Sequence, residues 1–306
     1  MNEKRTIDSD RDLAIQIQGL TKSYGKIHAL RGIDLEVRRG EIFGFLGPNG
    51  AGKTTTIRCL LDVIRPDGGK ALLLGVDPQA DPTAVQACTG YLPGEMQFYE
   101  NLTVERQLRF FNDMRDGRAE WRYVRQLAER LDVNLKLQIK NLSKGNKQKV
   151  GVIQALMHRP ELLLLDEPTS GLDPLMQQEV LRLLREANNT GATVFFSSHI
   201  MGEVENVAGR VAIIRSGEIA EVAETDSLTR RALNRLTVRF KRPVDIGGLG
   251  KLPGVEILSQ ANQTGVTLQV AGDMEELVHA LGCLPVQDME TERPSLEDVF
   301  LSYYKK

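Results

Sequence analysis

The stretch Gly47-Pro48-Asn49-Gly50-Ala51-Gly52-Lys53-Thr54-Thr55 lies between the apolar run Ile42–Leu46 and the mixed segment Ile57–Leu61, and it restricts the fold more than any other part of the chain. Its glycines let backbone N–H groups converge on oxygen atoms without interference from Cβ. A helix opening at Lys53 adds the positive end of its dipole. The spacing Gly47-x4-Gly52-Lys53-Thr54, after a predicted strand and before a predicted helix, is that of a P-loop. In that reading Lys53 bridges the β- and γ-phosphates, the Thr54 hydroxyl holds Mg²⁺, and Thr55 adds a phosphate contact. A ligand-free glycine-rich turn is the alternative, and the strand-to-helix context argues against it.

A phosphate loop alone does not separate kinase, GTPase, helicase and transport motor. The run Leu162-Leu163-Leu164-Leu165-Asp166-Glu167 narrows the choice. A buried strand delivers a carboxylate at its C-terminal end, where ligands gather in open α/β sheets, so Asp166 approaches Mg²⁺. Glu167, next to it, is placed to orient and deprotonate an attacking water, which suits hydrolysis better than transfer to a bound alcohol. The nearest string to a guanine-reading motif, Asn146-Lys147-Gln148-Lys149, lacks the required acid, so ATP is preferred over GTP.

Composition excludes several other classes. The chain of 306 residues has 41% hydrophobic and 26% charged residues, the profile of an ordinary globular protein of one large or two smaller domains. A net charge of −2 without a basic stripe argues against nucleic acid as a partner. Cys59, Cys88 and Cys283 are odd in number and scattered, which supports neither a disulfide framework nor a zinc site and suits a reducing cytosol. The N-terminal stretch MNEKRTIDSDRD lacks the apolar segment of a signal peptide, and no run approaches the roughly 18 apolar residues of a membrane span. Work at a membrane would therefore need another chain to cross it.

Alternation over residues 13 to 46 predicts short strands with one wet face, and the buried runs at 162–165 and 193–196 predict central strands of a parallel sheet. Residues 103 to 131 read as mostly helical with Thr103 as cap, and 144 to 157 as a helix. His158 before Arg159-Pro160 reads as a cation at a helix C-terminus, Arg122 to Arg130 as a solvated face, and His28 and His279 as structural or surface residues. Beyond about residue 224, TVRF, VEIL and TLQV with Gly and Pro punctuation, then EELVHALGCL and SLEDVFLSYY, predict a small α+β appendage over 225–306.

The phosphate loop, Leu142-Ser143-Lys144-Gly145-Asn146, the LLLLDE strand, Ser170-Gly171-Leu172-Asp173 and Ser198-His199 follow one another in the order of the ATP-binding cassette (ABC) ATPases, and residues 13–224 resemble that family. The resemblance implies an α/β P-loop NTPase fold with a parallel-sheet core, an antiparallel β subdomain and a helical subdomain. It also implies ATP and Mg²⁺ as ligands. Carried over by position, Tyr24 matches the aromatic that stacks on adenine, although alone it is equally a turn tyrosine. Ser143 and Gly145 match the signature, Asp173 the D-loop, and His199 the switch histidine that contacts the γ-phosphate. Two positions depart from the pattern. Lys144 and Asn146 replace a Gly and the Gln of the usual LSGGQ, and Gly94 in Gly90-Tyr91-Leu92-Pro93-Gly94-Glu95 replaces a Gln that reaches Mg²⁺ and the attacking water. Glu95, one residue on, is the nearest substitute.

In this family the signature of one cassette closes on the nucleotide of another. One P-loop and one signature per chain thus imply a head-to-tail pair, expected as a homodimer. The resemblance further implies docking on separate transmembrane permease subunits at the cytoplasmic face. Pro294-Ser295-Leu296-Glu297-Asp298-Val299-Phe300 resembles drug and antibiotic exporters, ABC-2 systems included. Two rivals stay open. A soluble ABC ATPase working on nucleic acid or assembly would be expected to carry a coiled-coil insertion or a second cassette. An ATP-holding switch without turnover is opposed by Lys53, Asp166, Glu167 and His199.

Overall fold

A computed structural model describes residues 12–227, 234–261, 264–270 and 274–292. The segments SLEDVFLSYY and Pro294–Phe300 lie outside the described residues. The chain divides at residues 223/224 into two compact units. The first unit runs β1 (Leu13–Tyr24), β2 (Ile27–Arg38), β3 (Ile42–Leu46), α1 (Lys53–Leu60), β4 (Gly68–Leu73), α2 (Pro82–Cys88), β5 (Thr89–Leu92), α3 (Val104–Asp113), α4 (Trp121–Arg130) and α5 (Lys144–Leu156). It continues through β6 (Leu162–Asp166), α6 (Pro174–Asn189), β7 (Thr193–Ser198), α7 (Met201–Val207), β8 (Arg210–Arg215) and β9 (Glu218–Glu224).

Two sheets organise this unit. One is antiparallel, in the order β2-β1-β4, and the other has six strands in the order β5-β6-β7-β3-β8-β9. In the second, β5, β6, β7, β3 and β8 pair in parallel. Strands β6 and β7 are buried at every residue, as their unbroken apolar text requires of strands covered on both faces. The one wet face expected across 13–46 holds where Ile33, Leu35 and Val37 of β2 are buried between exposed Asp34 and Glu36, but the strand lengths and β3 need correction. β1 and β2 run for 12 residues each, and β3 is buried throughout because it lies at the centre of the parallel sheet. Phe43 and Phe45 of β3 pack on Phe195 of β7, with ring centroids 5.9 and 5.2 Å apart.

The helical stretch predicted over 103–131 is two helices. Thr103 caps α3, its Oγ1 accepting from Arg106 N, and the chain turns before α4 with positive φ at Asp116 and Gly117. Arg130 is not part of a solvated face. Its guanidinium donates to Glu179 Oε1 at 2.6 Å and Glu186 Oε1 at 2.9 Å, clamping α4 to α6 and holding the Glu186 carboxyl below its ordinary range. His158 is not a cation either. Burial pushes its pKa down to about 4, and Arg115 Nη1 donates to its Nε2 at 3.0 Å and to Gln86 O, while Arg115 Nη2 donates to Thr89 O. His28 and His279 are exposed.

The second unit is described by itself. β10 (Asn234–Phe240), β11 (Val255–Ala261), β12 (Gly265–Val270) and β13 (Val286–Glu292) form a sheet in the order β11-β12-β10-β13, with antiparallel pairing throughout. Leu277 and Leu281 of α8 (Glu275–Gly282) share a core with Leu236, Val238, Leu268 and Val270 of this sheet. Strand β13 has no counterpart in the sequence reading. Its text, VQDMETE, lacks apolar alternation, and backbone pairing to β10 makes it a strand.

Candidate functional site

Neighbouring strands of the parallel sheet end at one edge, and each delivers a predicted residue there. β5 leads to Gly94, β6 to Asp166 and Glu167, β7 to Ser198 and His199, and β3 to the phosphate loop. That edge is where an open parallel sheet receives its ligand. The loop meets β7 through Gly47 N–H donating to Ser198 O at 3.3 Å. Gly52 has φ of 114°, and a Cβ there would lie 2.7 Å from Ala29 O, so only glycine fits before Lys53. Pro48, Asn49, Gly50 and Ala51 form the rest of the turn, with Asn49 and Gly50 exposed.

Lys53 is only 5% exposed. Its Nζ donates to Gly47 O at 2.7 Å and Pro48 O at 3.1 Å, and stands 3.4 Å from Glu167 Oε1. The same Glu167 oxygen accepts from His199 Nδ1 at 3.1 Å, which places the imidazole proton on Nδ1, since a carboxylate can only accept. Asp166 is 1% exposed. Thr54 Oγ1 donates to its Oδ2 and Ser197 Oγ to its Oδ1, each at 2.6 Å. Lys53, Thr54, Asp166, Glu167 and His199 thus form one connected group.

The fit for a divalent cation follows from that donor set. Asp166 is a buried carboxylate that accepts from two hydroxyls, with no ion pair to Lys, Arg or His among the described residues, and an uncompensated buried charge is costly. A hard oxygen pair from Asp166 and Thr54 suits Mg²⁺, which takes one or two carboxylates and completes its shell with phosphate and water. Among the described residues no set of three His, Cys, Asp or Glu side chains gathers as a dedicated metal cage.

Other predicted residues stand apart. Tyr24 ends β1, 48% exposed, with Lys22 Nζ 5.8 Å from its ring centroid. Ser143 caps α5, its Oγ accepting from Asn146 N at 3.2 Å, and Gly145 packs so that a Cβ would meet Gly171 O at 2.8 Å. Asp173 caps α6, Oδ1 accepting from Leu175 N and Met176 N, both at 3.1 Å. No hydrogen bond or ion pair among the described residues joins Tyr24, Ser143 or Asp173 to the group around Glu167. Thr55 is half-buried in the first turn of α1. Gly94 backs directly onto Asp166: a Cβ would lie 2.9 Å from Asp166 Oδ2. Glu95 is exposed and makes no bond to that group.

Sequence reasoning missed three supporting side chains. Ser197 bridges Asp166 and the Glu167 N–H, the latter at 3.1 Å. Buried Glu203 accepts from Thr169 Oγ1 and from Ser198 Oγ, tying the turns that carry Glu167 and His199. Gln148 Nε2 donates to Glu167 O at 2.9 Å and Pro168 O at 3.2 Å. The one signal for Gln148 was a polar residue on the apolar face of the helix.

Phosphate loop, strand-end acid pair and histidine on one edge of a parallel sheet define a P-loop nucleotide hydrolase. A family model described as ABC transporter matches residues 30–170. An uncharacterized ABC transporter ATP-binding protein of Synechocystis sp. is 37% identical over 90% of this chain and 78% of its own length. The linearmycin resistance ATP-binding protein LnrL of Bacillus subtilis is 30% identical over 94% of this chain and 97% of its own length. The solved structure of an ATP binding subunit of an ABC transporter superposes with a TM-score of 0.65 at 30% identity, covering 71% of this chain and 92% of that one. The chain belongs to the ABC transporter ATP-binding proteins: it binds ATP and hydrolyses it as the motor subunit of a transporter. No helix among the described residues is long and apolar enough to cross a membrane.

Proposed function

We propose that this motor drives export of drug-like or antibiotic compounds, that it works as a head-to-tail homodimer, and that separate permease subunits hold it at the cytoplasmic face of the membrane. Similarity along nearly the whole chain to a linearmycin resistance protein supports the export reading. One phosphate loop and one signature segment per chain support the pair. In this reading residues 225 to 306 form an accessory α+β domain.

The observation that carries the mechanism is the single group formed by Lys53, Thr54, Asp166, Glu167 and His199. In it, Lys53 exchanges its contacts with Gly47 O and Pro48 O for β- and γ-phosphate oxygens, while N–H groups of the loop from Asn49 to Gly52, with Thr55, take the remaining phosphate contacts. Thr54 and Asp166 would hold Mg²⁺, which would supply neutralisation of phosphate charge. Glu167 accepts a proton from water as the water oxygen bonds to the γ-phosphorus and the bond to the β–γ bridging oxygen breaks, giving ADP and phosphate. His199 orients Glu167 and contacts the γ-phosphate. Tyr24 stacks on the adenine, and Ser143, Gly145 and Asp173 serve the nucleotide held by the partner copy.

The test is Glu167→Gln, which keeps shape and removes the proton acceptor. Phosphate release is expected to fall by ~10²- to 10⁴-fold, while ATP still binds and an ATP-dependent pair accumulates in light scattering. A normal rate would place the base elsewhere, and a slow monomeric variant would remove the paired site.

A further inference from the structure

We propose that Gln148 is a positioning residue for hydrolysis, holding the peptide that carries Glu167; the proposal rests on the reading of Glu167 as the base. Glu167 has φ of 50°, in the left-handed region that a side chain with Cβ disfavours. Such a conformation persists only where the surroundings over-determine it. Here the residue is pinned at both ends. Its N–H donates to Ser197 Oγ at 3.1 Å, and its C=O accepts from Gln148 Nε2 at 2.9 Å.

The second end comes from a different part of the fold. Gln148 lies on α5, the helix capped by Ser143, and is 5% exposed. Its Nε2 also donates to Pro168 O at 3.2 Å, so one NH₂ group spans two successive carbonyls and fixes the plane of the peptide between them. With both donors engaged there, Gln148 acts on the reaction through Glu167, whose carboxylate it keeps within 3.4 Å of Lys53 Nζ and 3.1 Å of His199 Nδ1. Freed of that hold, the peptide relaxes from the left-handed region and carries the carboxylate away. A plain strut between α5 and the end of β6 would behave differently, because its loss would weaken nucleotide binding and turnover together.

The experiment uses the full chain with Gln148→Met, which keeps the length and removes the donor, alone and combined with Glu167→Gln. Phosphate release at saturating ATP, KM, binding of a fluorescent ATP analogue and thermal melting are measured for each. Gln148→Met is expected to lower kcat by ~10- to 10²-fold, as small misplacement of a reacting group does, with KM and analogue affinity within about twofold. In the Glu167→Gln background it should change the residual rate by less than about twofold, since groups that act as a unit are not additive. An unchanged kcat beside a slow Glu167→Gln overturns the positioning role and leaves the base in place. Equal losses in both backgrounds overturn it in favour of a strut. A normal rate for Glu167→Gln removes the base itself, and the proposal with it. Should Gln148→Met not fold, Ser197→Ala frees the other end of the same peptide but also removes a donor to Asp166, so a kcat loss with unchanged Mg²⁺ dependence supports the pinning, and an unchanged kcat, or a loss that added Mg²⁺ restores, overturns it.

Discussion

The left-handed backbone at Glu167 sets activity against stability, and a pair of substitutions measures the conflict. Glu167→Ala and Glu167→Gly both remove the carboxylate, so both leave Lys53 without its anionic neighbour and His199 Nδ1 without its acceptor. The two differ only in Cβ, so their difference isolates the backbone. Holding a residue with Cβ at a φ of 50° costs ~1–2 kcal/mol. Glycine recovers that, less the ~0.4–1 kcal/mol by which its freer unfolded chain opposes folding. Glu167→Gly should therefore be more stable than Glu167→Ala by about 1 kcal/mol, which for a domain of this size is ~2–4 °C in melting temperature. Calorimetry without nucleotide reads the melting temperature, and a phosphate-release assay should find both variants slowed by ~10²- to 10⁴-fold. If the glycine variant melts at or below the alanine variant, residue 167 carries no backbone strain and the reason for pinning its peptide disappears.

Two further outcomes follow from the geometry. His158 binds a proton at about 4 when folded and at its ordinary 6.5 when unfolded, so between those values the unfolded chain holds more protons and stability falls as pH falls. Thermal melts should lose about 2 kcal/mol from this residue between pH 6.5 and 4 after allowance for its partial exposure, and a His158→Gln variant with the same pH slope as the parent would refute the assignment. A methyl at position 94 would press on Asp166 Oδ2, which Thr54 holds at 2.6 Å. Gly94→Ala should thus slow turnover roughly tenfold and raise the Mg²⁺ needed for half-maximal rate, and an unchanged Mg²⁺ dependence would show that the segment yields without cost.

What the sequence revealed and what it hid follow a physical division. Lys53, Thr54, Asp166 and Glu167 were legible because each sits where a local pattern changes: an apolar strand stops and a glycine turn or an acid begins. Backbone geometry alone then carries them to one edge of the sheet. Gln148, Ser197 and Glu203 were hidden because each acts across the fold, on a peptide or hydroxyl distant in sequence, and each is a residue type that ordinarily faces water. Arg130 was hidden for the same reason: charge alternation describes a helix face but not the two glutamates of α6 that meet it. His158 was misread because the cation serving that place in the fold is Arg115, from the turn after α3.

The departures around Ser143 have a local explanation in the cap. Ser143 Oγ accepts the N–H of residue 146, and a backbone N–H is present whatever side chain stands there, so Asn in place of Gln leaves the cap intact. Lys144 replaces a glycine at the first residue of α5, a position that a residue with Cβ occupies readily. Gly145 is different, because a Cβ there would meet Gly171 O at 2.8 Å, and at that position the glycine is kept. Accepting from Asn146 N uses a lone pair of the Ser143 hydroxyl and leaves its O–H free, just as Asp173 caps α6 through Oδ1 alone and leaves Oδ2. Capping thus fixes the direction of both side chains while leaving on each a polar group for a ligand. In the proposed pair, the positive end of α5, the free Ser143 O–H and the charge of Lys144 all turn toward the partner's phosphates.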